Sequence, residues 1–396
     1  MTGRERISLT MRHSQPDRVP VMCQLSIGHY NLNGGYKPHE IWYETEAFVD
    51  ATVKLAQRYQ FDGTLVVITG RPPNYLDRVA SIKEEDDGEW ITWNNGDRTF
   101  LPWDDMAHHY PADTAKPTRA DFDTFDPERD IRHIDDYLGH IWNALYHIQD
   151  IPEKDYGGPL EGGKIPAYFF RALDMVKARV GTEISVHGSI YSPLTHFFEI
   201  FGYEDALVAF RTDAQKAHAV LDLLTEGTTA WALGLVAHGA DAVDHTSAFV
   251  GAPFLSRKQY QEFVVPYERR VNEAVKAAGG VIYTHTCGRI GDRLDLMEQT
   301  GTQGIDTLDP PPLGNGDLAI AKRDFGERLF FKGNLNSVEL LRVPTAGEVR
   351  AMAAERIEIG KPGAGYILST ACSVAPGVEP WKLEMLVPLA EELGRY

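Results

Sequence analysis

The sequence predicts one α/β domain over residues 1–396, a (β/α)8 barrel of the TIM type. It carries a large insertion after the second strand, a hairpin plus a helix within residues 76–165. Three observations predict this. Eight short apolar runs bounded by Gly or turn residues read as strands. Segments with apolar residues at three-and-four spacing separate most of them and read as helices. The alternation breaks once, between the second and third runs, which places the insertion.

In chain order the strands are Pro20–Ile27, Gly63–Thr69, Ile184–Ile190, Ala240–Thr246, Gly280–Thr286, Gly304–Leu308, Leu329–Leu335 and Gly365–Thr370. The helical segments are Thr45–Tyr59, Pro166–Val180, Asp205–His238, Ser256–Ala278 and Ala346–Ile359. Strand–helix alternation implies a parallel sheet, and eight such units imply closure, with chemistry at the C-terminal ends of the strands. Within the insertion, Trp90–Trp93 and Arg98–Leu101 flank Asn95-Gly96, a hairpin signature. His133–Ile148 reads as a helix whose His133, His140 and His147 form an exposed polar stripe. The glycine-rich Asp155–Gly163 follows no strand, so it is a loop and not a phosphate cradle. The whole insertion reads as a lid or shoulder over the barrel mouth.

Composition narrows the partners. The chain has 57 Asp+Glu against 39 Lys+Arg, a formal charge of −18. That excludes nucleic acid as the main partner, since phosphate binding needs a basic face, and it disfavours anionic membranes. No run of eighteen apolar residues predicts a membrane span, and the N-terminus lacks the apolar core of a secretory signal. Three cysteines, Cys23, Cys287 and Cys372, are too few for a disulfide framework and fit a reducing cytoplasm. A homodimer is compatible with this surface.

The sharpest chemistry lies in Tyr283-Thr284-His285-Thr286-Cys287-Gly288. His285 and Cys287 are two residues apart at a strand end, so they face one side. Cys372 follows the eighth strand, and barrel topology brings all strand ends to one face. One imidazole and two thiolates form a zinc set with a fourth position for carboxylate, water or substrate. Asp306 and Asp309 are the nearest carboxylates, and Asp309, closer to the strand's C-terminal end, is the expected fourth ligand. Asp244 and His245, at the end of the fourth strand, are the expected acid–base pair. His29, Tyr30, Arg71, His187, Tyr191 and Asn334, all at or after strand ends, are the expected pocket wall.

These residues carry a resemblance. RHSQPDRVPV (12–21), GADAVDHTSAFVGAPFLSRKQYQEFVVPY (239–267), HTCG (285–288), LFFKGNLN (329–336) and GAGYILSTACSVAPGVEPWKLEML (363–386) resemble the uroporphyrinogen decarboxylase superfamily over nearly the full chain. The resemblance implies a (β/α)8 barrel and two chemistries. The decarboxylases show an arginine-rich stretch after the first strand, where this chain has CQLSIGHYNLNGG (23–35) and no arginine. A site for a polyanion without that cation cluster is physically implausible. The cobalamin-linked methyltransferases carry H-x-C with a distant Cys, matched here by His285, Cys287 and Cys372. The resemblance therefore implies zinc-assisted transfer of a methyl group between a small methylated substrate or thiol and cobalamin held on a separate corrinoid protein. A metal-free decarboxylase using Asp244 or His245 is the alternative.

Overall fold

The computed structural model describes residues 1–71, 74–114, 119–130 and 168–396. Seven parallel strands form one sheet: β1 (Gly63–Val66), β6 (Ser185–Tyr191), β7 (Ala242–Thr246), β8 (Ile282–Thr286), β9 (Gly304–Thr307), β10 (Phe330–Leu335) and β11 (Tyr366–Thr370), neighbours in that order. Between β1 and β6 in sequence comes a second, antiparallel sheet: β2 (Val79–Glu85), β3 (Gly88–Trp93), β4 (Arg98–Pro102) and β5 (His108–Tyr110).

The first expected strand is the one that differs. Pro20–Leu25 forms only isolated bridges, Val21 with Leu368 and Leu25 with Val374, and a helix begins at Ile27. This extended segment still closes the ring. Leu368 N–H donates to Pro20 C=O at 2.9 Å and Met22 N–H to Leu368 C=O at 3.0 Å. On the other side Asp62 N–H donates to Val21 C=O at 2.9 Å. Thus seven strands and one irregular stave make the (β/α)8 barrel.

The helical expectations hold with two breaks. Asp205–His238 divides at Asp213, whose side chain accepts from Lys216 N–H at 2.9 Å and so starts the helix Ala214–Ala237. Ser256–Ala278 divides at Val264, just before Pro266, which has no N–H to continue a ladder. Ala214–Ala237 is long and apolar enough to cross a membrane by length and composition, yet half of its apolar window is buried in the fold.

Strand alternation builds the barrel interior in layers. Met22, Leu65, Ala242, Tyr283, Phe330 and Ile367 form an apolar plug, with Ile7 and Met11 of the helix Gly3–Met11 joining it. Two residues further along the strands the same face carries Asp244, His285 and Lys332, with Asp306 from β9 beside them. An apolar floor thus supports a polar layer at the strand ends. Gly304 is in register with Phe330, whose ring lies 2.5 Å from where a Cβ would sit. Gly304→Val is expected to lose about 1–3 kcal/mol by overpacking the floor, seen as a lower urea midpoint; an unchanged midpoint would contradict this packing.

The expected hairpin exists as β3–β4, with Trp90 opposite Phe100. Flanking β2 and β5 extend it to four strands. The inner face packs on the segment after the first stave: Glu89 accepts from His39 N–H at 3.0 Å, and Asn31 Nδ2 donates to Pro102 C=O at 3.3 Å. The expected helix at His133–Ile148 and loop at Asp155–Gly163 lie outside the described residues.

Candidate metal centre

β8 delivers His285 inward at its end, and the chain leaves through Cys287 and Gly288. Gly288 has φ +81, a left-handed turn with open space around it. β9 leaves through two consecutive residues of positive φ, Thr307 and Leu308, which return Asp309 towards that turn. Asp309 Oδ2 accepts from Gly288 N–H at 2.6 Å. β11 ends just before Cys372.

Cys287 Sγ lies 3.4 Å from Cys372 Sγ and 3.7 Å from His285 Nε2. All three donor atoms fall within 4.8 Å of one another. Ligands bound at ~2.0–2.3 Å to one tetrahedral ion sit roughly 3.3–3.8 Å apart, so the trio has the spacing of a zinc set. His285 Nδ1 lies 2.9 Å from Asp306 Oδ2. With Nδ1–H donated to that carboxylate, Nε2 is left with its lone pair towards the sulfurs, the arrangement of a metal-binding histidine.

The electrostatics set the two thiols apart. Cys372 is held well below the usual thiol range, chiefly by a hydrogen bond from Cys287 and also by His285. The same bond, with burial, pushes Cys287 well up. One thiolate thus forms more readily here than the other. Burial opposes a charged His285, but the hydrogen bonds to Asp306 and Cys372 outweigh it and raise the imidazole.

Asp309 stands beside the trio and is not among the donors within 4.8 Å. Burial, followed by the charge on Cys372, pushes its carboxyl up to about 6, and its Oδ1 is buried without a hydrogen bond. Asp244, His285 and Asp306 also bring donors within 4.8 Å of one another. Lys332 Nζ, 2.9 Å from both oxygens of Asp306, already supplies a cation there.

The remaining expected residues separate by facing. Asp244 points into the barrel, where Oδ2 accepts from Ser189 Oγ at 3.2 Å and Thr246 Oγ1 at 3.1 Å; burial pushes it up to about 6. Tyr191 at the end of β6 feels the charges of both Asp244 and Arg71. Arg71 is buried, its Nε donating to Trp42 C=O and its N–H to Thr45 Oγ1 at 2.8 Å. His187 faces inward but low, between Tyr283 OH at 3.0 Å and Ser185 Oγ at 3.1 Å, so it belongs to the floor.

Four of the expected residues make other contacts. His245 neighbours Asp244 in the strand and therefore faces outward, its Nδ1 2.9 Å from Asn272 Oδ1 in the helix layer. His29 Nε2 lies 2.7 Å from Tyr59 OH, and Tyr30 packs edge-on to Phe48 at 5.5 Å, because a helix replaces the strand end that would have aimed them at the mouth. Asn334 is spent between Leu308 C=O, 2.9 Å from Nδ2, and Arg356, 3.3 Å from Oδ1. Two groups were missed. Asp306 is the partner of His285, where the sequence offered it only as a fourth ligand. Lys332 was visible as a single charge within the apolar run FFKGNL.

Known proteins share this frame. Methylcobamide:CoM methyltransferase MtbA of Methanosarcina acetivorans is 25% identical over 235 residues, 58% of this chain and 66% of that protein. Uroporphyrinogen decarboxylase of Rhodococcus jostii is 30% identical over 263 residues, 64% of this chain and 70% of the relative. The chain thus spans about two thirds of the length of the curated relatives it matches. A solved methyltransferase from Methanosarcina mazei has the same fold, with a TM-score of 0.68 over 99% of both chains at 16% identity. The family model described as uroporphyrinogen decarboxylase (URO-D) matches residues 148–393. The chain therefore belongs to the uroporphyrinogen decarboxylase family.

Proposed function

We propose that this chain is a zinc-dependent methyltransferase moving a methyl group between a small methylated substrate or thiol and a corrinoid protein. The observation that carries the reading is the convergence of His285, Cys287 and Cys372 at the barrel mouth, with His285 turned to them by Asp306. The similarity to a methylcobamide methyltransferase supports it. His285, Cys287 and Cys372 would hold the zinc, which would supply Lewis acidity towards a thiol or the heteroatom of a methylated substrate. Asp309 is the fourth ligand in this reading, its Oδ1 being buried and accepting no hydrogen bond.

The chain's own residues do the rest. The apolar floor excludes water from beneath the centre. Asp244 Oδ1 accepts no hydrogen bond among the described residues and is the group that holds a proton beside the centre. Tyr191 and Arg71 line the approach. In this reading Asp244→Asn lowers kcat about 10²–10⁴-fold, while His245→Gln leaves kcat within a few-fold because it faces the helices. Equal losses from both variants would remove Asp244 from the mechanism.

The direct test supplies purified protein with zinc, reduced cobalamin and a panel of methyl donors and thiols, and follows methylcobalamin by its absorbance. Formation or consumption of methylcobalamin that needs zinc supports the reading, and full turnover in metal-free enzyme sinks it. A second reading, a metal-free decarboxylase, is favoured by one observation, the buried carboxyl of Asp244 raised to about 6. It requires CO2 release from an acidic substrate without metal. The segment after the first stave supplies no arginine to hold such a polyanion.

A further inference from the structure

We propose that Lys332 is a positioning residue of the metal centre, holding through both oxygens of Asp306 the carboxylate that orients His285. This rests on the zinc reading above. Lys332 projects inward from β10 and is 1% exposed. Its Nζ lies 2.9 Å from Asp306 Oδ1 and 2.9 Å from Oδ2. Asp306 Oδ1 also accepts from Thr307 N–H at 2.9 Å, and Oδ2 faces His285 Nδ1 at 2.9 Å. One carboxylate is thus held by three groups, and only the plane they fix presents Oδ2 to the imidazole.

The pair is not there to hold the barrel. A buried ion pair carries a desolvation cost that its Coulomb attraction roughly offsets, and apolar residues of similar volume do as well or better. The layer beneath is already filled by Phe330, Tyr283 and Ile367. What an apolar pair cannot do is accept the Nδ1–H of His285. Asp306 alone would keep the Thr307 and His285 contacts but lose the two that lock its torsion. The imidazole would then swing, and Nε2 would leave the position 3.7 Å from Cys287 Sγ. Among the described residues Lys332 Nζ bonds Asp306 and none of the three donors, so it acts by way of Asp306.

The test compares the full-length wild type with Lys332→Met and with the charge-neutral double variant Lys332→Met/Asp306→Asn. Zinc affinity is read by competition with a chromogenic chelator. Coordination geometry is read from the visible spectrum after Co2+ substitution, and stability from urea unfolding of the metal-free forms. Losing an outer partner of a metal ligand typically costs 10–100-fold in affinity. Lys332→Met is expected to weaken zinc by that factor and to change the Co2+ spectrum. The double variant is expected to show a loss of the same size, not its square, with metal-free stability near wild type. Should Lys332→Met fail to fold, Lys332→Gln, which removes the charge and leaves Asp306 in place, takes its part in the comparison with the same expected loss. Zinc affinity within twofold of wild type in either folded variant overturns the inference while leaving the zinc reading intact. A wild type that binds no zinc overturns both.

Discussion

On the proposed zinc reading, Cys287→Ser and Cys372→Ser each abolish stoichiometric zinc binding and lower methyl transfer by at least about 10³-fold, without unfolding the barrel. The first half follows from donor chemistry. A serine hydroxyl at this position keeps the shape of the thiol but stays protonated near neutral pH, whereas a coordinating thiol is deprotonated outright. Loss of one sulfur leaves one thiolate, one imidazole and the Asp309 carboxylate, so the ion loses one of its two thiolates and the affinity that goes with it. Lewis-acid stabilisation is worth several kcal/mol of barrier, so its removal is a thousandfold effect or larger. The second half follows from position. Both residues lie after the ends of their strands, outside the hydrogen-bonded ladder, and both are free thiols. The apolar floor below them does not depend on either sulfur. The measurement is zinc per chain by elemental analysis, beside methylcobalamin turnover and a thermal unfolding scan of the metal-free forms. Retained zinc with retained turnover in either variant would remove the metal from the reaction.

Much of this site could be read from the chain because barrel topology does the folding argument in advance. Once β8 and β11 are recognised by their apolar runs, the ends of both strands must open on one face, and His285, Cys287 and Cys372 become neighbours without any contact being known. Facing is the part that needs coordinates. His245 and Asp244 are adjacent letters, and only the register of β7 against β8, which pairs Thr246 with His285, settles which one looks inward. His29 and Tyr30 followed an apolar run that resembles a strand in every letter, yet Ser26 caps a helix by accepting from His29 N–H, and the side chains turn to the outer layer. Lys332 was overlooked for a different reason. A lone lysine in an apolar run reads as a fault in a strand until its partner is known, and that partner, Asp306, comes from another strand. The four-stranded sheet was half legible: Asn95-Gly96 announces one hairpin, while β2 is half charged and β5 is three residues long.

Asp62→Ala is expected to destabilise the protein by about 3–5 kcal/mol. The reason lies in how the barrel closes. The stave from Pro20 to Leu25 makes too few ladder bonds to hold itself between β11 and β1, and side chains complete the seam. Asp62, 3% exposed, accepts from Val21 N–H at 2.7 Å and from Arg18 Nη1 at 2.7 Å through Oδ2. Through Oδ1 it accepts from Arg6 Nη1 at 2.8 Å and Arg18 Nη2 at 3.2 Å. One carboxylate therefore ties the floor helix, the stave and the entry to β1 together. Alanine removes the acceptor, leaving the buried Arg18 guanidinium with Val19 C=O alone and a buried N–H without its partner, which is the costly way to break a buried pair. Asp62→Asn keeps an acceptor for Val21 N–H and should lose less. Urea unfolding measures the difference, and amide exchange at Val21 and Met22 should accelerate well before exchange in β7 and β8. A loss below about 1 kcal/mol in Asp62→Ala would mean that the stave is held by its apolar side chains, with the ion cluster as a bystander.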